Sequence, residues 1–481
     1  MMNKKDKRIG VNYIFYTLYQ ILTLITPLIT TPYVSRVLLP DGVGIVSYTH
    51  AIVQYVIVVA TFGTGIYANR KMAFLQGNRQ EQSKLFGEIL SIRALILFVG
   101  CIVYGVVIVA GASDNVLMLV QGIYLLAEFF NIDWLFTGNE EFKVTVTRSF
   151  VIKLLGIFAI FLFVKDAKDI YLYVVILGLS ILLGNLSLWF YLPKYVDGFK
   201  VSVRQCKEHI VGSIKLFMPQ LAGTLYVYFD KIMLGLLTET DKENGFYEQT
   251  QKIIKLSLTI ITTLPTVMLP RMANVYAKEG EEKLKSYLNA SIRFVLVLGV
   301  PLVFGIIGIS DGIIEWFFGS GYEQVALLLK VLAPVVIFNA IYNVIGYQYF
   351  LATGRENRFT FIILCGAITN VALNAVMIPT MRALGAIVSS LLAEVVVAVI
   401  MIIYIRKMLD GKQLGITLLK TTVGGLIMCY LVAKINGVLG YGIVQTFVTI
   451  ILGAVIYLGI ELALKETFIL GLLKQLRKHE A

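Results

Sequence analysis

The chain has 481 residues, 58% of them hydrophobic and only 15% charged, with a mean hydropathy of +0.80, and no soluble chain of this length can bury that much apolar surface. About 279 apolar residues, at roughly 20 per crossing, suffice for about fourteen transmembrane helices. What remains is too little polar chain for a large extramembrane catalytic or nucleic-acid-binding domain, so the net charge of +12 is read for its distribution along a membrane protein.

In chain order, apolar runs fall near residues 11–34, 43–66, 87–110, 116–137, 147–164, 170–192, 213–236, 249–270, 287–309, 324–351, 359–378, 384–405, 416–434 and 442–464. Each is about long enough to span a bilayer as a helix. Gly437, Gly440 and Gly442 tighten the last turn, so the final pair reads either as two helices or as one re-entrant unit. MMNKKDKRIG leads into the first run without a small-residue cleavage site, which predicts a retained first helix. Prolines at 27, 32, 219, 265, 270, 301 and 334 lie inside predicted helices, where each removes a backbone hydrogen bond and can kink the helix.

Thirty-two of the 42 basic residues fall in the N-terminus and in segments 67–93, 138–153, 194–215, 271–293, 355–358, 406–420 and 465–481. These are the terminal segments and every second loop, so both termini are predicted to be cytoplasmic and the number of crossings even. An internal repeat fits that count. Lys71-Met72-Ala73, with Glu81 and Arg93, recurs 200 residues later as Arg271-Met272-Ala273 with Glu281 and Arg293, and Leu135 to Glu140 recurs 216 residues later as Leu351 to Glu356. The matched segments follow the second and eighth helices, then the fourth and tenth, giving a six-helix unit used twice in the same orientation. The predicted organisation is an all-α polytopic membrane protein. It has an N-terminal lobe over 1–193, a cytoplasmic linker over 194–212, a C-terminal lobe over 213–405, and two further helices with a cytoplasmic tail over 406–481.

Charges inside the spans are the candidates for chemistry, because each costs on the order of 2.5 kcal/mol or more at bilayer depth. Asp230 and Lys231 lie in the seventh helix, and Lys252 and Lys255 share one face of the eighth. The lysines either form a cationic wall for a phosphate or sugar-acid group, or snorkel to the interface and pair with Glu248 or Asp230. Arg36 faces a cavity or is an ordinary interfacial arginine, and His50 is a buried polar contact or a proton relay. Glu128 and Asp133 are ion-coupling candidates, although a spacing of five puts them on different faces of a continuous helix. Glu394 and Glu461 are lone acids of late helices, each a coupling site or a hydrogen-bonded structural acid.

Other signals are absent. Cys101, Cys206, Cys365 and Cys429 are isolated and form no zinc spacing. The sequence has no GxxxxGK[ST] phosphate loop, no H-E-x-x-H and no D-x-D. It predicts no catalytic constellation, no cofactor, no metal and no nucleic-acid partner.

Several segments carry a resemblance. They are Thr31 to Leu38 running on to Gly42–Tyr48, Gly63 to Arg70, Asn131 to Gly138, Phe229 to Gly235, and Leu264-Pro265 through Leu269-Pro270-Arg271. In this order and spacing the chain resembles the bacterial polysaccharide flippases of the multidrug/oligosaccharidyl-lipid/polysaccharide superfamily, over nearly its whole length. The resemblance implies a V-shaped, two-lobed transporter of fourteen helices in the cytoplasmic membrane. Its expected cargo is an undecaprenyl-diphosphate-linked oligosaccharide repeat unit, moved outward for surface polysaccharide (O-antigen, capsule or exopolysaccharide) synthesis. Its expected partners are membrane lipids and the polymerase and glycosyltransferases of the same pathway. On that reading Arg36, Lys252 and Lys255 neutralise the diphosphate, and Arg271 belongs with them among the cavity candidates. A lipid II flippase and a drug/cation antiporter of the same superfamily are the rival readings.

Overall fold

The computed structural model describes residues 4–111, 113–198, 201 and 203–471; the predicted tail beyond 471 lies outside them. Among the described residues the regular structure is helical throughout, without a strand, as a chain whose backbone groups must be satisfied without water requires.

Two compact units divide the chain, Met1–Gly245 and Phe246–Ala481. The first contains α1 (Lys4–Thr61), α2 (Thr64–Phe74), α3 (Arg79–Val109), α4 (Asn115–Phe129), α5 (Asp133–Gly138), α6 (Phe142–Phe163), α7 (Ile170–Trp189) and α8 (Val203–Leu237). Next comes α9 (Lys242–Phe318), followed in the second unit by α10 (Gln324–Leu332), α11 (Val335–Ile345), a π-helical turn (Gly346–Leu351), α12 (Glu356–Met381), α13 (Ala383–Ile405), α14 (Gly411–Leu439) and α15 (Ile443–Ala463).

Eleven segments among the described residues are long and apolar enough to cross a membrane, and two of these are pairs. In α1 the chain breaks at Leu39, with φ 59° and ψ 172°, next to Pro40, whose ring disfavours helical backbone at the residue before it. At 77 residues α9 is far too long for one crossing, and it breaks at its midpoint, Gly280, with φ 79°. Counting both halves of each broken helix together with α8, whose 35 residues include Asp230 and Lys231, gives the fourteen crossings expected. The C-terminal pair forms two full helices of 29 and 21 residues rather than a re-entrant unit.

α8 begins at Val203, inside the segment 194–212 read from sequence as a linker. Near its start His209 donates from Nε2 to Glu88 Oε2 (2.9 Å) and is hydrogen-bonded through Nδ1 to Tyr67 Oη (3.0 Å), tying α8 to α2 and α3. Nearby, Phe86, Trp134, Leu135, Phe136 and Leu188 form an apolar cluster, with Phe86 stacked on Trp134 at 5.4 Å. This cluster fixes the short helices α2 and α5 against α3 and α7.

Candidate functional site in the first unit

Two interruptions build the site. The first is the sharp turn at Phe62 (φ 51°) and Gly63 (φ 69°) between α1 and α2. Gly63 is suited to its place because it adopts the left-handed backbone at no steric cost and because a Cβ there would meet the Phe217 backbone at 3.0 Å. The second separates α4, which ends at Phe129, from α5, which begins at Asp133. Asn131 organises that break by donating to Glu128 Oε2 (3.0 Å) and accepting from the Asp133 N–H (3.2 Å).

The two interruptions face a cavity of about 540 Å³ lined by residues that include Asn69, Arg70, Arg93, Glu128, Asp133 and Trp134. On one continuous helix Glu128 and Asp133 would lie on different faces; the break at 130–132 brings both carboxylates to the same cavity. Each is held by an arginine. Arg93, 3% exposed, meets Glu128 at 2.5 Å and also donates to Thr64 Oγ1 at 3.3 Å. Arg148 meets Asp133 at 3.3 Å and also donates to the Gly184 carbonyl. Among the described residues Arg70 has no ion-pair partner, and it lines the same space. Trp134, 5% exposed, has an indole N–H that is itself buried and without an acceptor among the described residues. Asn69, which donates to Thr137 Oγ1 at 2.6 Å, adds an amide to the wall.

The cavity therefore offers an arginine without a carboxylate partner among the described residues, the Trp134 ring, amides, hydroxyls and two arginine–carboxylate pairs. Such a set suits a polyhydroxylated, anionic ligand: guanidinium groups bind phosphate or carboxylate oxygens in a bidentate fork, and an indole presents both a flat face and a donor.

The other residues named from sequence lie elsewhere. Arg36 is exposed, one turn before the Leu39 break. His50 Nδ1 lies 3.4 Å from Gln121 Oε1, edge-on to the Tyr124 ring. Asp230 and Lys231 are buried in α8, and Asn244 donates to the Lys231 carbonyl at 3.1 Å. In the second unit Lys252 pairs with Glu248 at 3.7 Å one helical turn away, while Lys255 is exposed. Arg271 reaches past the Gly280 break to the Tyr287 hydroxyl at 3.0 Å and lies over its ring. Glu394 accepts from Asn339 Nδ2 at 3.0 Å, and Asn343 in turn donates to Asn339 Oδ1 at 2.9 Å.

Sequence reasoning missed Arg70, Arg93, Arg148 and Trp134 as site residues. Arg70 and Trp134 stood inside quoted motifs and Arg93 inside the repeat, but nothing in their spacing shows that α2, α3 and α5 meet.

Residues 9–276 match the family described as polysaccharide biosynthesis protein. The chain belongs to this family. A second family, MatE, matches residues 216–376. The chain is 22% identical to a Shigella dysenteriae protein named as an O-antigen transporter, over 82% of this chain and 96% of that one. A Haloferax volcanii protein named as a low-salt glycan biosynthesis flippase is 24% identical over 50% of this chain and 51% of its own length. Among solved structures, the inward closed conformation of the lipid II flippase MurJ aligns with a TM-score of 0.75 at 14% identity, covering 95% of this chain and 99% of that one. An inward-facing multidrug transporter of the MATE family aligns at 0.62 and 13%, covering 80% and 97%. The superfamily and fold expected from the sequence motifs are borne out, and the chain is a multi-pass membrane protein of the polysaccharide-flippase type.

Proposed function

We propose that this chain moves undecaprenyl-diphosphate-linked oligosaccharide repeat units from the cytoplasmic to the external leaflet of the bacterial cytoplasmic membrane, with both termini cytoplasmic, and supplies surface polysaccharide synthesis without catalysing a reaction. The observation that carries the reading is the first-unit cavity, where Arg70 lacks an ion-pair partner among the described residues and the Trp134 N–H lacks an acceptor. The family and the relatives named for glycan transport support the same cargo class. In this reading Arg70 takes anionic oxygens of the head group, and Trp134, Asn69 and Asn131 contact sugar. Glu128 and Asp133 exchange arginine partners and serve as the ion-coupling carboxylates, with Glu394 a further coupling acid. Arg36, Lys252 and Lys255 are proposed as additional contacts for the diphosphate, and His50, Asp230, Lys231 and Arg271 as polar residues along the cargo's path. Polymerase and glycosyltransferases of the same pathway are the proposed partners.

The test is Arg70→Gln at normal protein level, with the leaflet distribution of the lipid-linked precursor measured together with surface polymer. The precursor is expected to accumulate on the cytoplasmic leaflet. Unchanged export would remove Arg70 from the cargo site. Loss of viability in cells that make no surface polymer would instead indicate a peptidoglycan precursor as cargo.

A further inference from the structure

The C-terminal hairpin α14–α15 contains two acids that share a neighbourhood and are treated in opposite ways. Glu466, just beyond α15 and 2% exposed, collects the available donors. Arg293 of α9 reaches its Oε1 at 3.0 Å and Thr417 of α14 reaches the same oxygen at 3.1 Å, while the N–H groups of Phe468 and Ile469 reach Oε2. Glu461, in the last turn of α15, is fully buried, and neither carboxyl oxygen has a hydrogen-bond partner among the described residues. The hydrogen-bonded structural acid expected from sequence is therefore not what occupies this position.

The surroundings of Glu461 explain the contrast. It packs on α14 at Gly424, where a Cβ would stand 2.4 Å from Oε1, so the helix surface is hollowed to receive the carboxyl group. Of the charged groups near this face, Lys420 carries the opposite sign, but neither it nor Arg293 reaches a Glu461 carboxyl oxygen. Lys420 of α14 donates to the Lys465 carbonyl at 3.1 Å, Arg293 is shared between Glu466 and Thr467, and Glu466 is itself an acid. Thr421 donates to the Thr417 carbonyl of its own helix. Tyr457, one turn before Glu461, donates to the Val297 carbonyl of α9 at 2.9 Å. A buried carboxylate with no donor is among the most costly groups a protein can hold, whereas the uncharged acid costs far less. With a hydrogen-bonded anion already at Glu466, a second charge at Glu461 would be repelled as well.

We propose that Glu461 is a proton-binding site. It holds one proton on its carboxyl group while α14–α15 is packed against α9, and it releases that proton to water when the hairpin lifts and the carboxylate becomes hydrated. A cavity of about 410 Å³ lined by residues that include Arg293, Asp410 and Phe468 lies beside the Glu466 cluster, so water stands near this end of the hairpin without touching Glu461 while the hairpin is packed. The site is defined by the packing of the hairpin and does not depend on which cargo the protein carries.

The experiment is infrared difference spectroscopy of the full-length protein in lipid nanodiscs, wild type minus Glu461→Gln, at neutral pH. A protonated-carboxyl C=O band is expected in the wild type and should be lost in the variant. In parallel, the wild type should lose thermal stability relative to Glu461→Gln as the pH is raised, since only the wild type must give up its proton. Absence of the band, or an identical pH dependence in both proteins, overturns the proposal. Glu461→Met, uncharged and of similar length, is the second variant. If both uncharged variants fail to fold while the wild type folds, the site requires a charge and the proposal is wrong.

Discussion

The Arg93–Glu128 pair allows the site's electrostatics to be tested by number. The guanidinium is 3% exposed, the Glu128 side chain is 19% exposed, and the two meet at 2.5 Å. Arg93→Met leaves Glu128 with Asn131 as its remaining donor and no bonded cation among the described residues, and breaking a buried pair in this way costs about 3–5 kcal/mol. Removing both charges with Arg93→Met/Glu128→Gln leaves no uncompensated ion, so most of that loss should return and the double variant should lie within about 1 kcal/mol of the wild type. The assay is a thermodynamic cycle of the four proteins by reversible unfolding in detergent, read beside export in cells. The double variant should be folded yet impaired in export, because the charges are then absent from the cavity. If Arg93→Met alone costs less than about 1 kcal/mol, the pair is effectively solvated and does not behave as a buried ion pair.

Three further outcomes are expected. Gly44→Val should destabilise the first unit by at least about 1–3 kcal/mol, the usual cost of overpacking, because even a Cβ would lie 1.7 Å from the Asp241 carbonyl oxygen; a melting temperature equal to wild type refutes that close approach. Lys252→Gln/Lys255→Gln, which removes the helical-turn pair with Glu248, should lower export of the polymer at normal protein level; normal export removes both lysines from the cargo's path. Burial pushes the Glu466 carboxyl up, but the Ile469 N–H, Arg293 and the Phe468 N–H outweigh it and hold the group below its ordinary value of 4.5. A depressed carboxylate stabilises the fold above that value and loses the contribution as the pH falls, so wild type should lose its stability advantage over Glu466→Gln on acidification, and a constant difference across that range refutes the linkage.

How much was legible from sequence follows from which physics acts locally. The bilayer requires helices of near-constant length, so fourteen apolar runs could be counted directly, and Pro40 marks the break in α1 on stereochemical grounds. The break between Phe129 and Asp133 has no such signature, because Phe130, Asn131 and Ile132 include neither glycine nor proline. Only the side chain of Asn131, which bonds to both sides of the gap, makes the interruption stable. For the same reason the meeting of Arg70, Arg93 and Trp134 was invisible, since contact between α2, α3 and α5 is a tertiary fact. The opposite fates of Glu461 and Glu466 depend on where Arg293 and Thr417 point, and no linear pattern contains that.

At the offsets read from sequence, the residues around the Glu128–Asp133 cavity can be compared with their second-unit counterparts. At the offset of 216 the gap at Phe130–Ile132 falls on Gly346–Gln348, the start of the π-helical turn Gly346–Leu351, so both units interrupt a helix at the same place. The residues around the interruption differ: Glu128, Asn131, Asp133 and Trp134 correspond to Val344, Tyr347, Tyr349 and Phe350. Arg93 keeps its counterpart, Arg293, at the offset of 200, yet with valine where the acid would stand Arg293 pairs with Glu466 beyond α15. At these positions the second unit carries valine and aromatic residues where the first carries acids, an amide and an indole, and Arg293 anchors the C-terminal hairpin. If this division of labour holds, placing the acid back with Val344→Glu should compete with Glu466 for Arg293 and loosen α14–α15, seen as faster amide exchange in the hairpin; unchanged exchange would show that the two arginines are not equivalent.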